Sequence, residues 1–442
     1  MEIKELQKII QENGVVGCGG AGFPTYMKIS DQADVILMNC AECEPLLKLH
    51  RQLLEKNAYE IMKTFQMIAD TIGAKEAIIG IKDSYVDAVN ALNQHIAEFP
   101  KVRIHLLEEV YPMGDEVVLI YEATGRVCRP GGLPIEQGVS VFNVETVYNI
   151  YRAVEEQQPV TSKYISVVAE VRNPVTVRVP LGATIEEVVA QAGGITVDDP
   201  AYFIGGPMMG RLGKGSDLVT KTTNAVIVLP KDHLIIMKKQ RTSAIDLKRA
   251  ASICCQCNTC TDLCPRNNLG HPIDPARFMR AASNADFRDL NPYLDASFCS
   301  SCGVCEMYSC PQSLAPRTLL ADMKMGLRNA GLKPPQGVQP VPVKDSREYR
   351  KVPEERLVAR LGLTKYDVDA PINETTIPVS KVQIALSQHI GAPAQAIVSV
   401  GDAVTTGQMI AQPANGLSVG IHATINGVVT EVTASHIVIA AK

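Results

Sequence analysis

The sequence predicts a chain of four structural units: an α/β domain, a small β-rich unit, an α-helical segment dense in cysteine and an all-β domain. Three observations support this division. Strand-like apolar runs alternate with helical patterns in residues 1–155, nine of the thirteen cysteines lie between Cys254 and Cys310, and short apolar runs with regular glycine turns fill residues 377–442. Alternating strands and helices are typical of a sheet covered by helices, whereas short strands with glycine turns are typical of sandwiches and barrels.

Composition narrows the class of protein. A chain of 442 residues accommodates about three or four domains, and its 46% of hydrophobic residues supplies their cores. Thirteen cysteines grouped at metal-binding spacing indicate a reducing compartment. The net charge is −4 without a basic block, so we expect no nucleic-acid partner.

The sequence shows neither a membrane span nor a secretory signal. No apolar run approaches the ~18 residues that a spanning helix needs. The N-terminal stretch Met1–Leu6 is charged and lacks an apolar segment. We therefore expect a soluble, cytoplasmic redox protein.

The N-terminal domain, predicted over residues 1–155, contains a glycine-rich loop. Four of the six residues from Gly17 to Gly22 are glycine, and Lys28 follows shortly after. Glycines let the backbone approach a ligand closely, and N–H groups turned toward it beside a cation form a phosphate cradle. A tight turn without a ligand explains the glycines equally well.

Polar side chains follow a predicted strand of the same domain. Residues 34–38 form a short apolar run, and Asn39, Glu42 and Glu44 come soon after it. Ligands of α/β sheets lie at the carboxyl ends of strands, and buried carboxylates need partners, so this cluster is a candidate binding site. The further predicted strands are 76–81 and 102–107, and the predicted helices are near 54–72 and 84–98.

Residues 160–235 form the predicted β-rich unit. A hairpin over residues 164–180 precedes a capped helix, predicted from Thr184 to Gly194. The unit resembles a soluble-ligand-binding β-grasp (SLBB) domain. Such a domain holds a small ligand or braces its neighbours, and bracing is our preferred interpretation. Met208 and Met209 are expected to pack in a core rather than contact a corrin or haem.

The cysteines of the third unit, residues 245–330, occur in two bursts. Each burst has three cysteines separated by two residues and then a Cys-Pro. Such a loop turns three thiolates toward one iron–sulfur cube, and in two-cluster ferredoxins the Cys-Pro ligates the other cluster. We therefore predict two [4Fe–4S] clusters, one held by Cys254, Cys257, Cys260 and Cys310 and the other by Cys299, Cys302, Cys305 and Cys264.

Structural zinc and disulfides are the alternatives for these cysteines. Zinc ribbons use two paired Cys-x-x-Cys knuckles and need no third cysteine two residues on. Cys255, beside Cys254, is expected to pack rather than to bind iron. The interval before Cys310 is one residue longer than usual, so we expect a bulge around Tyr308 and Ser309.

The last part of the chain is predicted to be a linker and an all-β domain. Four prolines between Pro334 and Pro342 indicate that the linker, residues 331–376, begins there. Residues 377–442 resemble a biotinyl or lipoyl-type barrel-sandwich hybrid. No lysine lies between Lys381 and Lys442, so covalent cofactor carriage is not expected. His422 is expected to be a structural turn residue.

Four motifs of the N-terminal domain resemble those of the flavoprotein subunit of respiratory complex I. They are the glycine loop with Lys28, the segment 39–45, Tyr111–Glu116 and Asn143–Thr146, in that family's order. The resemblance implies that the phosphate side of FMN is bound by Gly17, Gly19, Gly20 and Lys28. It implies that the isoalloxazine and ribityl parts are lined by Asn39, Glu42, Glu44, Tyr111, Glu116, Asn143 and Thr146.

The chain departs from that family where the nucleotide donor binds. Cys18 stands where the complex I loop has arginine, and Asp31 and Leu133 stand where aromatic residues stack the adenine. Stacking on an aromatic face contributes about 0.5–1.5 kcal/mol beyond buried area. The resemblance therefore implies NADH as donor, bound more weakly or differently than in complex I.

The order of the units resembles one family over the whole chain. The flavin, SLBB and dicluster units resemble the RnfC component of the Rnf electron-transport complex, but in that component the barrel-sandwich domain lies at the N-terminus. With this domain last, the chain resembles the PduS-type cobalamin reductases of propanediol-utilisation microcompartments. The resemblance implies electron transfer from NADH, with FMN and two [4Fe–4S] clusters, to cobalamin or a corrinoid enzyme, restoring a B12-dependent diol dehydratase.

The same resemblance implies a place inside or at the shell of a bacterial microcompartment, with an adenosyltransferase and shell proteins as candidate partners. Two other functions remain open: an RnfC-like component of a ferredoxin:NAD oxidoreductase, and a non-catalytic electron relay of a microcompartment. No residue set for acid–base or nucleophilic catalysis on carbon is evident, so we expect the cofactors to carry the chemistry.

Overall fold

The N-terminal domain of the computed structural model, which describes all 442 residues, is a parallel α/β sheet. Its elements are α1 (Ile3–Glu12), β1 (Val35–Cys40), α2 (Leu49–Ile72), β2 (Glu76–Lys82), α3 (Val86–His95), β3 (Val102–Leu107), β4 (Val110–Tyr111), α4 (Glu116–Thr124), β5 (Val139–Asn143) and α5 (Val144–Glu155). Four parallel strands lie in the order β3-β2-β1-β5. The predicted alternation of strands and helices is therefore confirmed.

Helix α2 begins earlier than the sequence predicts, at Leu49 rather than near residue 54. The reason is a cap from outside the helix. The carboxylate of Glu42 accepts hydrogen bonds from the N–H groups of Leu49 (3.0 Å) and His50 (2.7 Å). These bonds satisfy two of the donors that the first turn of a helix leaves unpaired. The polar loop after β1 is thereby fixed to the start of α2.

The SLBB unit contains β6 (Ser162–Ala169), β7 (Val175–Pro180), α6 (Ile185–Ala190), β8 (Pro200–Ile204), β9 (Arg211–Gly213), β10 (Ala225–Pro230) and α7 (Leu234–Lys239). The predicted hairpin is present as the antiparallel pair β6–β7. Thr184 caps α6 as predicted, but the helix ends at Ala190 instead of reaching Gly194. Gly193 and Gly194 have φ angles of +77° and +97°, which a right-handed helix excludes.

The cysteine-rich segment is helical. Its elements are α8 (Ser243–Ile253), α9 (Thr259–Asp262), α10 (Pro265–Asn268), α11 (Pro275–Ser283), α12 (Asn291–Leu294), a π-helix (Val304–Ser309) and α13 (Pro316–Asn329). The π-helix lies in the long interval before Cys310 and takes up the additional residue, because each π-turn contains one residue more than an α-turn. The bulge predicted around Tyr308 and Ser309 is therefore present.

Part of the predicted linker, residues 331–376, is instead regular structure, and this part of the prediction is wrong. The structure forms β11 (Val352–Pro353), α14 (Glu354–Arg360) and β12 (Ile372–Thr376) there. Strand β11 pairs with β4 of the N-terminal domain, and β12 joins the SLBB sheet, whose order is β12-β7-β6-β10-β8-β9. Glu354 also forms an ion pair with Lys82, which is completely buried. Short polar strands whose partners lie far away in sequence leave no periodic pattern to recognise.

The C-terminal domain consists of two small sheets. Its strands are β13 (Lys381–Ala385), β14 (Gln395–Ala396), β15 (Ala403–Val404), β16 (Met409–Gln412), β17 (Ile421–His422), β18 (Gly427–Val432) and β19 (His436–Ala441). The sheets have the orders β13-β19-β18-β15 and β14-β16-β17. The N–H of Gly420 donates to the Gln11 carbonyl (2.9 Å), so this domain lies against the end of α1. None of the helices in the structure combines the length and apolar character of a membrane span.

Candidate functional site

The glycine loop opens one end of a large cleft in the N-terminal domain. The N–H of Gly17 donates to the Phe23 carbonyl (2.9 Å) and closes the loop. Gly20 has a φ of +54° and is exposed, with open space where a Cβ would stand. Gly22, at φ +67°, lies so close to Thr222 of the SLBB unit that a Cβ would approach its methyl carbon to 2.8 Å. The loop therefore requires glycine both for its conformation and for its contact with the SLBB unit.

All eleven residues predicted to bind flavin line this cleft. It has a cavity volume of about 430 Å³ and lies at the carboxyl ends of β1 and β5. Pockets of about 300–1,000 Å³ enclose drug-sized ligands, so the cleft has room for a flavin nucleotide. The predicted residues in its walls are Gly17, Gly19, Gly20, Lys28, Asn39, Glu42, Glu44, Tyr111, Glu116, Asn143 and Thr146. The structure brings them together, and their role as flavin ligands stays a prediction.

Lys28 and Asn143 are held in the cleft wall by neighbouring elements. The ammonium of Lys28 donates to the Val141 carbonyl of β5 (2.7 Å) and lies 3.7 Å from Glu116 Oε1. Asn143 caps α5 by accepting from the Glu145 N–H (2.9 Å). These contacts fix a cation and an amide on the same side of the cleft, where a phosphate or a polar ring edge needs them.

Glu44 connects the cleft to the SLBB unit. Its two carboxylate oxygens accept hydrogen bonds from the N–H groups of Met208 and Met209, each at 2.9 Å. Burial raises the pKa of Glu44 to about 7, although the two N–H donors favour the ionised form. Glu44 therefore gains and loses a proton near neutral pH inside the cleft.

The turn that contains Met208 and Met209 places one methionine in the core and the other in the cleft. Met208 is completely buried, as the sequence predicts. Met209 is half exposed and lines the cleft, so the expectation that it packs in a core is wrong. The hydrogen bonds of both N–H groups to Glu44 hold the turn at the cleft and direct the Met209 side chain into it.

Three cleft residues that the sequence did not identify as ligands carry unpaired polar atoms. Thr25 Oγ1, His50 Nδ1 and Asn224 Oδ1 are buried and have no hydrogen-bond partner. Buried polar atoms are nearly always paired, so three unpaired atoms in one cleft indicate a polar ligand, and an FMN molecule carries matching groups. Thr25 lies within the recognised glycine-loop motif but was not chosen as a ligand, and His50 lies near the recognised motifs but outside them. Asn224 lies in another unit, and no pattern in the sequence points to it.

Asp31 and Leu133, which replace the adenine-stacking aromatics of complex I, lie outside the cleft lining. Both side chains are exposed, Leu133 by 62%. No aromatic side chain thus stands at either position to stack a nucleotide base. That a nicotinamide nucleotide is held differently here stays a prediction.

The cysteines of the third unit surround two cavities. The outer cavity is lined by Cys254, Cys257, Cys260 and Cys310, with Cys255 beside them. The inner cavity is lined by Cys264, Cys299, Cys302 and Cys305. In each cavity, three cysteines come from one burst and the fourth comes from the other burst. This is the grouping that the predicted cross-ligation requires.

The donor sets fit clusters better than single ions. A zinc ion draws its thiolates to about 2.3 Å. No group of three or more His, Cys, Asp or Glu side chains in the chain is close enough to hold one metal ion. Four cysteines around a cavity, by contrast, fit the four corners of an iron–sulfur cube. All thirteen cysteines are free thiols, so no disulfide competes for them.

The two cavities differ in their surroundings. Cys302 lines both the inner cavity and the flavin cleft, and its carbonyl accepts a hydrogen bond from the Tyr111 hydroxyl (2.5 Å). Arg266 lines the inner cavity and pairs with Asp115 of the cleft at 2.9 Å. The outer cavity has no charged residue in its lining, and Cys255 and Cys257 are exposed there. The inner cavity therefore adjoins the flavin cleft, and the outer cavity opens to solvent.

Four protein-family models match consecutive parts of the chain. The FMN-binding domain of Nuo51 matches residues 10–152, and the SLBB domain matches residues 164–212. A 4Fe-4S dicluster domain matches residues 253–315, and the barrel-sandwich hybrid domain of RnfC matches residues 363–442. These matches confirm the predicted fold classes and their order.

Curated relatives cover nearly the whole chain. The chain is 40% identical to "Cobalamin reductase PduS" of Citrobacter freundii, over 99% of this chain and 97% of that protein. It is 42% identical to the protein of the same name from Salmonella typhimurium, over 97% and 95%. A more distant relative, 30% identical over 60% of this chain and 58% of its own, is the C component of the Na⁺-translocating ferredoxin:NAD⁺ oxidoreductase complex of Acetobacterium woodii.

Among solved structures, the chain resembles a NAD⁺-reducing [NiFe]-hydrogenase. The match to the air-oxidised state has a TM-score of 0.50 and 21% identity, and covers 82% of this chain and 66% of that one. The match to the H₂-reduced state has a TM-score of 0.49 and 22% identity, with coverage of 76% and 64%. At 21% identity, the match to the air-oxidised state shows only that the two folds are alike.

Proposed function

Because the chain belongs to the family of the PduS cobalamin reductases, we propose that it transfers electrons from NADH to cobalamin, with FMN and two [4Fe–4S] clusters as cofactors. The observation that carries this proposal is the position of Cys302. This residue lines both the flavin cleft and the inner cavity, so the two cofactor sites share a wall. Sites that share a wall can exchange electrons without a mobile carrier.

Flavin supplies the chemistry that joins a two-electron donor to one-electron metal centres. The protein residues position and insulate it. We propose that the glycine loop and Lys28 bind the phosphate and that Asn39 and Asn143 orient the remainder of the molecule. Tyr111 is only 3% exposed and donates its hydroxyl to the Cys302 carbonyl, so it packs in the shared wall and keeps water out of it. Glu44, whose pKa burial raises to about 7, takes up and releases a proton on its carboxyl group near neutral pH.

The ligand sets of the clusters are part of the same proposal. The outer cavity would hold one cluster through Cys254, Cys257, Cys260 and Cys310. The inner cavity would hold the other through Cys264, Cys299, Cys302 and Cys305. The grouping of these cysteines around two cavities supports this assignment.

Membership of the family supports a proposal for the partners and the location of the protein. We propose that the protein acts in or at the shell of a propanediol-utilisation microcompartment, and that shell proteins contact it there. An adenosyltransferase is the proposed consumer of the product, because reduced cobalt is the form of the corrinoid that can accept an alkyl group. The names of the two relatives that match nearly the whole chain support cobalamin as the substrate.

An anaerobic reduction experiment tests the proposal. The protein, reconstituted with FMN, iron and sulfide, is mixed with NADH while flavin and cluster absorbance are followed. We expect both absorbances to bleach, and cob(III)alamin to restore them while being reduced. Bleaching that cobalamin does not reverse would contradict cobalamin as the acceptor.

A relay fed by another protein is the second candidate. The exposed positions of Asp31 and Leu133 favour it, because the aromatic stacking of the nucleotide base is absent. In the same experiment, flavin that stays oxidised with NADH but is reduced by a low-potential ferredoxin or flavodoxin would support the relay. An Rnf-like role has less support, since that relative covers only 60% of the chain.

A further inference from the structure

Asn224 belongs to the SLBB unit, but its side chain lies in the flavin cleft. It directly precedes β10, and its carbonyl accepts a hydrogen bond from the Ser166 N–H of β6 (3.1 Å), so its backbone is fixed by the sheet. The side-chain Oδ1 is buried and has no partner. The side-chain Nδ2 faces the glycine loop, 3.8 Å from where a Cβ on Gly19 would stand.

The segment before Asn224 follows the glycine loop along its length. Lys221 donates from its ammonium group to the Gly14 carbonyl (2.7 Å), ahead of the loop. Thr222 packs against Gly22 at the far end of the loop. Asn224 therefore stands beside the middle of the loop, and contacts before and after Gly19 hold it there. Its placement results from an extended contact between two units.

We propose that Asn224 binds FMN at the junction of its phosphate and ribityl chain, so that the SLBB unit supplies a ligand to the flavin site. The inference rests on the proposed function. The Nδ2 group donates to a phosphate oxygen held by the glycine loop, and Oδ1 accepts from a ribityl hydroxyl. One amide carries a donor and an acceptor side by side, and FMN carries both phosphate oxygens that accept and ribityl hydroxyls that donate. Binding thus satisfies an amide oxygen that is otherwise buried without a partner.

This placement gives the SLBB unit a role at both ends of the cleft. At one end, Asn224 reaches the glycine loop. At the other, the N–H groups of Met208 and Met209 donate to Glu44, and Met209 lines the cleft. The unit braces the flavin domain, which is the role we prefer for it from the sequence, and it does so through the cofactor site itself.

Flavin affinities of Asn224 variants test the proposal. Full-length protein with its clusters is freed of flavin, and the dissociation constants of FMN and riboflavin are measured by flavin fluorescence. We expect Asn224→Ala to weaken FMN binding about tenfold or more, since a hydrogen bond to a charged group is lost. Asn224→Asp preserves shape but places a carboxylate beside the phosphate. It should weaken FMN binding further than Asn224→Ala does, and riboflavin binding much less.

Asn173→Ala is the matched control, because Asn173 is an exposed asparagine of the same unit outside the cleft. It should leave both affinities unchanged. FMN affinity within twofold of wild type in a folded Asn224→Ala protein would overturn the proposal, as would equal losses of FMN and riboflavin affinity in Asn224→Asp. Wild-type protein assayed in parallel distinguishes failure of the proposed function from failure of the proposed role of Asn224. If wild type binds FMN and reduces cobalamin while the Asn224 variants bind FMN normally, only the role of Asn224 is contradicted.

Discussion

Arg266 connects the inner cavity with the flavin cleft through an ion pair. Its guanidinium lines the cavity and pairs with Asp115, which caps α4 and lines the cleft. The two side chains are 17% and 9% exposed, so water screens their charges weakly. A fixed cation beside a cluster stabilises the reduced state, which carries one more negative charge.

Removing this cation should lower the potential of the inner cluster. We expect Arg266→Gln, which retains hydrogen-bonding groups, to shift the midpoint potential of that cluster to more negative values and to affect the outer cluster less. An anaerobic redox titration followed by electron paramagnetic resonance measures both. Arg277→Gln is the matched control, because Arg277 pairs with Asp289 at the exposed surface. An unchanged inner potential would show that Arg266 serves only to hold Asp115.

Glu44 should make the flavin potential depend on pH. Burial raises its pKa to about 7, so the carboxyl group is neutral below pH 7 and ionised above it. An ionised carboxylate opposes electron uptake by a nearby flavin. The flavin midpoint potential of wild type should therefore fall more steeply above pH 7 than that of Glu44→Gln. Spectroelectrochemical titrations between pH 6 and pH 8.5 measure this difference, and parallel curves would contradict a titrating Glu44 in the cleft.

At the scale of elements, the two cysteine bursts act as one interleaved structure. Each cavity takes its fourth cysteine from the other burst. The π-helix before Cys310 accommodates the longer interval, so this cysteine still reaches the outer cavity. The spacing predicted this grouping, because in two-cluster ferredoxins the Cys-Pro that ends each burst ligates the other cluster.

Serine substitutions should remove clusters in crossed pairs. We expect Cys264→Ser and Cys299→Ser to abolish the same electron paramagnetic resonance signal, although the two residues lie in different bursts. Cys310→Ser and Cys254→Ser should abolish the other signal. Cys255→Ser is the control and should keep both, because this thiol is exposed beside the ligand set. If Cys264→Ser and Cys254→Ser removed the same signal, ligation would lie within each burst.

At the scale of the whole molecule, three units meet at Lys221. This SLBB residue is 2% exposed, and its ammonium donates to the carbonyls of Gly14 (2.7 Å) and Gly420 (3.1 Å), in the N-terminal and C-terminal domains. Burial lowers the pKa of Lys221 to about 7. The nearby Cys18 and His422 have pKa values moved by burial to about 12 and about 3, so neither changes charge between pH 7 and pH 10.

Because of Lys221, the folded protein should become more stable as pH rises. Below pH 7 the folded protein carries a buried charge at Lys221, and burying this charge costs free energy of folding. In the unfolded chain Lys221 retains its ordinary pKa of 10.5, so this cost decreases as pH rises from 7 and disappears near pH 10.5. The free energy of unfolding of wild type should therefore increase between pH 7 and pH 10 relative to that of Lys221→Met. Denaturant unfolding followed by circular dichroism measures it, and Lys214→Met is the control at an exposed position. A difference that is constant with pH would contradict the prediction.

Much of the fold and of the site was predictable because their signals are local. The spacing of the cysteines, the glycine loop and the polar residues after β1 each occupy one short stretch, in which loop geometry and chemistry are set by neighbours in sequence. The motifs near Tyr111 and Asn143 were found by resemblance, and all eleven residues line one cleft. The wrong end assigned to α6 has a local cause too, since Gly193 and Gly194 stop the helix through their own positive φ angles.

The sequence by itself determined the order of the units, the fold class of each and the two sets of cysteines. Only the tertiary structure decided that residues 344–376 join two sheets, that Cys302 belongs to two cavities and that Asn224 enters the flavin cleft. The physical reason is the range of the interactions. Periodicity and spacing record which face a residue presents within its own element, whereas contacts between distant elements depend on how their surfaces pack, and no pattern within one stretch encodes that.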